Sequence, residues 1–182
     1  MPKFIAILLT LTLAASNVCL ASEGDDQANS FAKIYSSLCL KNLTNLEALR
    51  QKLKPMPALP PEKAGLFLAG QSGDAWPVPD KSGTFVLALP SGNNFCAVHV
   101  RRANTETAIN LFTQMVTNPP APLTARLVKN EQLQTGLNGP TQTVSYEWSV
   151  PGAKLKLLFM LTTASSESAQ LQVLGSAAII TQ

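Results

Sequence analysis

At 182 residues, with 46% hydrophobic and only 14% charged residues, the chain has room for one domain and enough apolar material for a packed core, which excludes wholesale disorder. The formal net charge of +3 lies far below the clustered basicity of a nucleic-acid-binding domain. Three cysteines and one histidine leave little material for metal or thiol chemistry.

Lys3 is followed by Phe4–Ala15, twelve residues without a charge. That length suits the apolar centre of a secretory signal and falls short of the about 20 residues a bilayer-spanning helix needs. Cys19-Leu20-Ala21 then sets small residues three before and one before a cut at Ala21–Ser22. Residues 1–21 therefore read as a cleaved signal peptide and 22–182 as the mature domain of an exported chain. The alternative makes Cys19 a lipid-anchored first residue; Ser16-Asn17-Val18 fits that poorly, because lipobox peptidases prefer a Leu-like residue first and Gly or Ala just before Cys. No other apolar run reaches membrane length, so the mature chain is expected to carry no transmembrane segment. Its basic residues, 14 less Lys3, nearly balance 11 acidic ones, and no nucleic-acid partner is expected.

Ser22–Ala28 is polar and acidic and reads as a mobile lead-in. Phe31, Ile34, Tyr35 and Leu38 recur at helical spacing, predicting an amphipathic helix over Ala28–Leu40. Thr44-Asn45-Leu46-Glu47 is a capping-box pattern opening a second helix with Leu46, Leu49 and Leu53 on one stripe, which Pro55 ends. From Met56 to Ser82, five prolines after Pro55 and three glycines predict a long loop, with a helical turn from Pro61 and a proline-stiffened stretch presenting Trp76. The period then changes to two. Thr84–Leu89 and Phe95–Val100 make a hairpin around Pro90–Asn94, and Asn104 caps a helix running to Thr117. Four strands follow, over Leu123–Gln134, Gln142–Val150, Lys154–Thr163 and Ala169–Ile180. The order α-α-loop-β-β-α-β-β-β-β predicts a single α+β domain, an antiparallel sheet of about six strands with helices mainly on one face.

Cys39 and Cys96 are an even pair in an exported chain, for which a structural disulfide is the default; the alternative is two buried thiols. No Cys-x-x-Cys spacing supports redox chemistry. Cys96 and His99 point to opposite faces of a strand and share no metal, so His99 reads as a structural or surface histidine. Ser30-Phe31-Ala32-Lys33 matches the Ser-x-x-Lys of penicillin-binding serine enzymes, but the Ser-x-Asn and Lys-Thr-Gly partners are missing and the chain is too short for that fold. No catalytic, metal or cofactor set emerges, and an enzyme is not expected. Arg101-Arg102 reads as a solvated pair or an anion clamp, and Trp76 as a lid on the core or a partner-binding anchor.

The run Leu59-Pro60-Pro61, Phe67-Leu68-Ala69-Gly70, Gly73-Asp74-Ala75-Trp76, Thr84–Leu89 and Cys96–Ala103, continuing through Ala121-Pro122-Leu123 and Tyr146 to Ala177-Ala178-Ile179, resembles a family of small, uncharacterised proteobacterial exported envelope proteins and lipoproteins. The resemblance implies export from a bacterial cytoplasm. It also implies pairing of an early cysteine, here Cys39, with a strand cysteine, here Cys96, and it brings no catalytic residue.

The expected function is that of a non-enzymatic exported protein binding another envelope protein, as a small subunit of an envelope-spanning secretion or conjugation assembly, with Trp76, Arg101 and Arg102 as partner-binding candidates. The alternative is a periplasmic small-ligand binder using the sheet's concave side, with the same three residues near the mouth.

Overall fold

A computed structural model describes residues 17–181. Helix α1 spans Asn17–Ile34 and continues as a wider, π-type turn over Tyr35–Leu40; α2 spans Leu46–Leu53, α3 Pro61–Ala64 and α4 Thr105–Thr117. The strands are β1 Gly73–Val78, β2 Phe85–Pro90, β3 Phe95–Val100, β4 Thr124–Thr135, β5 Gly139–Ser149, β6 Leu155–Ala164 and β7 Val173–Thr181. They form one antiparallel sheet in the order β1-β2-β3-β7-β6-β5-β4.

The class is the expected α+β, but the sheet has seven strands rather than six. The additional strand, β1, lies in the segment read as a proline-stiffened loop. Pro77 is tolerated because β1 is an edge strand, paired on one side only, where a missing N–H costs little. The last strand inserts between β3 and β6, so the C-terminal segment joins the β1–β3 half of the sheet to the β4–β6 half.

The polar segment 22–28 is helical, not an irregular lead-in. Gln27 and Ala28 are buried, the Asn104 amide donates to the Gly24 carbonyl (2.9 Å), and Thr107 Oγ1 donates to Asp25 Oδ1 (2.6 Å). Its polar groups thus find partners on the N-terminal turn of α4, a long-range satisfaction that local polarity does not reveal. The apolar run Phe4–Ala15 lies outside the described residues, and the expected cut at Ala21–Ser22 falls on the backbone of α1. The capping of α2 also shifts by one residue: Asn45, not Thr44, accepts from the Ala48 amide at 3.2 Å. Asn104 caps α4 as expected, accepting from the Thr107 amide at 3.1 Å.

The main core lies between one sheet face and α1, its π turn, α2 and α4. Phe31, Tyr35, Phe112, Leu87, Val98, Phe159 and Leu161 are fully buried there. Tyr35 donates its hydroxyl proton to the Ser176 carbonyl at 2.6 Å. Gly175 makes this approach feasible: a Cβ there would sit 2.6 Å from the Phe31 ring, so the central strand carries no side chain where the helix crosses. Cys39 and Cys96 form a disulfide, Cα–Cα 5.4 Å, tying the π turn to β3. Arg50 of α2 reaches the other edge, donating to Asp74 (2.6 Å) and to the Leu89 and Pro90 carbonyls. Trp148 Nε1 donates to the Val116 carbonyl at 2.6 Å, satisfying an acceptor near the end of α4.

A second, smaller cluster lies on the reverse face. Ala64 and Leu68, from α3 and the turn after it, cover Ala75, Val86, Ala88 and Ala97 of β1–β3. The helices therefore pack mainly on one face, as expected, with α3 as the exception. Among the described residues no helix covers the reverse face of β4–β6.

Candidate functional site

Among the described residues, two places set exposed apolar surface beside polar groups. The first is β4 and the hairpin it forms with β5. β4 is twelve residues long and sits at the sheet edge, so one side of its backbone has no strand partner. Leu127, Val128 and Leu133 are 50%, 46% and 56% exposed, and Leu137 at the hairpin tip is 84% exposed. The register slips between Leu127 and Lys129, where Val128 bulges out. Leu127 lies opposite Tyr146 on the core face, whereas Leu133 lies opposite Thr141 on the reverse face. The bulge thus gives this edge one leucine on each face, and it leaves Lys129–Thr135 in regular pairing with β5 and without a strand partner on the outer side.

Beside this edge the reverse face holds a small ionic cluster. Glu147, itself buried, accepts from Lys156 (3.0 Å) and Arg126 (3.3 Å), while Lys129 pairs with Glu131 at 3.0 Å along the strand. The hydrogen bond from Lys156 holds the Glu147 carboxyl below the usual carboxylate range; burial opposes this, and Arg126 adds to it. The cluster is closed on itself and orders β4 against β5 and β6.

The second place is a cavity of about 260 Å³ on the reverse face of β2 and β3. Val86 and His99, directly opposite each other in the ladder, form its floor. Leu66 and Phe67 come from the turn after α3, Leu171 from the segment entering β7, and Arg101 stands at the rim. The Phe67 ring meets the His99 ring edge-on, centroids 5.1 Å apart. His99 is 6% exposed, and neither ring nitrogen has a hydrogen-bond partner among the described residues. Burial pushes its pKa down to about 4, and the Phe67 backbone beside it opposes this only in part.

The sequence-derived candidates scatter. Trp76 lies on the core face of β1 opposite Leu87 and is 3% exposed, so it is a core residue and offers a partner no surface. Arg101 lines the His99 cavity on the opposite face. Arg102 is exposed and donates to the Ala169 carbonyl at 3.3 Å. The three do not converge on one mouth. Ser30 donates to the Ser82 hydroxyl at 3.2 Å, which gives it a structural partner. His99 and Cys96 do face opposite sides of β3, Cys96 beneath the π turn and His99 toward the cavity. Among the described residues, no group of three or more His, Cys, Asp or Glu is placed to hold a metal, and no helix is long and apolar enough to cross a membrane.

Two signals in the sequence pointed at these places without assembling them. Period-two alternation already put His99 on the face opposite Cys96. The Leu66-Phe67 pair, in a segment too broken for regular structure, needed a surface to cover. A scan against protein-family models and searches of curated proteins and of solved structures return no match for this chain.

Proposed function

We propose that this chain is an exported, non-enzymatic interaction protein of a bacterial envelope, and that it binds an extended segment of another envelope protein alongside β4. The observation that carries the reading is the twelve-residue edge with Leu127, Val128 and Leu133 exposed and Leu137 at its tip. Soluble proteins protect long apolar edges because they template strand pairing, and strand addition is the recognition mode that uses one. Backbone hydrogen bonds would supply affinity, and the leucines on opposite faces would select a strand with apolar residues to match. A second copy fits less well. Antiparallel self-pairing centred on Asn130 sets Lys129 opposite Glu131, yet it also sets Leu127 across from Leu133, and the bulge has put those two on different faces.

Export to the periplasm rests on the signal-like N-terminus and is supported by the Cys39–Cys96 disulfide, since such bridges persist in oxidising compartments. Membership of a secretion or conjugation assembly is one setting for such a subunit, and the resemblance to proteobacterial envelope proteins agrees with it.

The test places a photoreactive side chain at position 133, and a control at exposed position 62 on α3, in the full chain expressed in its own envelope. A defined protein crosslinked from position 133, absent from the control, and lost when Leu127→Lys places a charge on the strand, is the expected result. Equal crosslinking from both positions, or elution of the purified chain as a β4-dependent dimer, overturns the reading.

A further inference from the structure

The cavity over β2 and β3 stands apart from the β4 edge and rests on different observations. Its walls are mostly apolar, yet it contains a buried imidazole without a partner among the described residues and a guanidinium at the rim. A buried polar side chain is normally hydrogen-bonded, and an exception calls for a reason. Packing alone does not require histidine here: an apolar residue of similar size facing Phe67 would fill the floor without two unsatisfied nitrogens. Arg101 lines the opening and makes no hydrogen bond or ion pair among the described residues. A guanidinium presents a planar fork that fits a carboxylate better than a neutral group.

Size limits the occupant. A cavity of about 150 Å³ accepts a benzene ring, so about 260 Å³ admits a ring or branched chain with a short acidic arm and excludes a long acyl chain. We propose that this cavity is a binding site for a small apolar carboxylate, with its hydrocarbon against Leu66, Phe67, Val86 and Leu171, its carboxylate on Arg101, and a polar atom completing a hydrogen bond with His99. The imidazole nitrogens are covered by their surroundings, so this last bond takes a turn of the ring about its Cβ–Cγ bond. Leu66, 77% exposed, forms the outer wall and has the freedom to move aside. The site uses one of the two arginines singled out in the sequence and neither Arg102 nor Trp76.

Phenylacetate is a suitable probe, with phenylacetamide as its uncharged counterpart. Titrated into the full chain and followed by calorimetry and by the ¹⁵N resonances of the His99 ring, phenylacetate is expected to bind and to shift those resonances. Phenylacetamide, and phenylacetate with Arg101→Gln, are each expected to bind about tenfold more weakly, the scale of a lost charged hydrogen bond. Arg101 is exposed, so this variant keeps the fold. No binding of phenylacetate at millimolar concentration overturns the proposal, as does equal binding of acid and amide. Leu127→Lys leaves phenylacetate binding unchanged, so failure here and failure of the β4 reading are distinguishable.

Discussion

β2 and β4 belong to one sheet and have opposite surroundings. Every residue of β2 is buried, because α1 and α2 with their neighbours cover one face and α3 with its following turn covers the other. Nine of the twelve residues of β4 are exposed, and the remaining three are only half-buried. Coverage on both faces turns the β1–β3 half into scaffold, with the His99 cavity opening where the α3 cover is incomplete. The outer strand of the β4–β5 hairpin has little cover and carries exposed apolar side chains, which leaves room for a partner. Stability should therefore be concentrated in one half and interaction in the other.

Breaking the scaffold half should cost most. Replacing Cys39 and Cys96 together by serine removes a bridge across 57 residues, and chain entropy assigns it roughly 4 kcal/mol. Urea unfolding of the oxidised chain against the double variant measures it, and a difference below about 1 kcal/mol would show that the bridge is incidental to this half.

Acid should act through the same half. The unfolded chain protonates His99 near 6.5 and the folded chain only at about 4, so between these values the unfolded state holds the extra proton. The contribution of this group is thus complete above about pH 6.5 and lost as pH falls toward 4, by roughly 3 kcal/mol. Unfolding midpoints at pH 7 and pH 4.5 should differ by less in His99→Leu than in the parent chain. Equal differences would mean that the imidazole is solvated and the cavity open to water.

The hairpin half gives the smallest effect on stability and the sharpest contrast. Leu133→Lys, on the exposed face of β4, should change unfolding free energy by no more than about 0.5 kcal/mol, since it removes no core contact. Amide exchange should show the β4 amides that face away from β5 exchanging far faster than those of β2. Strong destabilisation by this variant would mean that β4 is part of the scaffold after all.

The helices and five of the strands were legible because each announces itself locally: Asn104 as a cap, Leu46, Leu49 and Leu53 at helical spacing, Val144, Tyr146 and Trp148 alternating along β5. β7 was legible as a strand, but not as the one that would lie between β3 and β6. β1 was hidden because Pro77 and Pro79 are strong breaker signals whose cost depends on which edge of a sheet they occupy. The 22–28 segment was hidden because the partners of Gly24 and Asp25 lie some 80 residues away, on the first turn of α4. Of the candidate sites, Arg101 lies at the rim of a cavity, and Trp76 is the lid on the core rather than a partner-binding anchor. A tryptophan among prolines looks presented to solvent until the strand it occupies turns its ring inward over Leu87.

By itself the sequence determined what depends on neighbours along the chain: the periodicities, the helix caps, the signal-like leader and the cysteine count. Only the tertiary structure decided which strand lies at an edge, which face a loop covers and which polar groups are left without partners. Those properties depend on contacts between segments far apart in sequence, and no local pattern encodes whether a given face will be covered by another part of the chain or left for something else to bind.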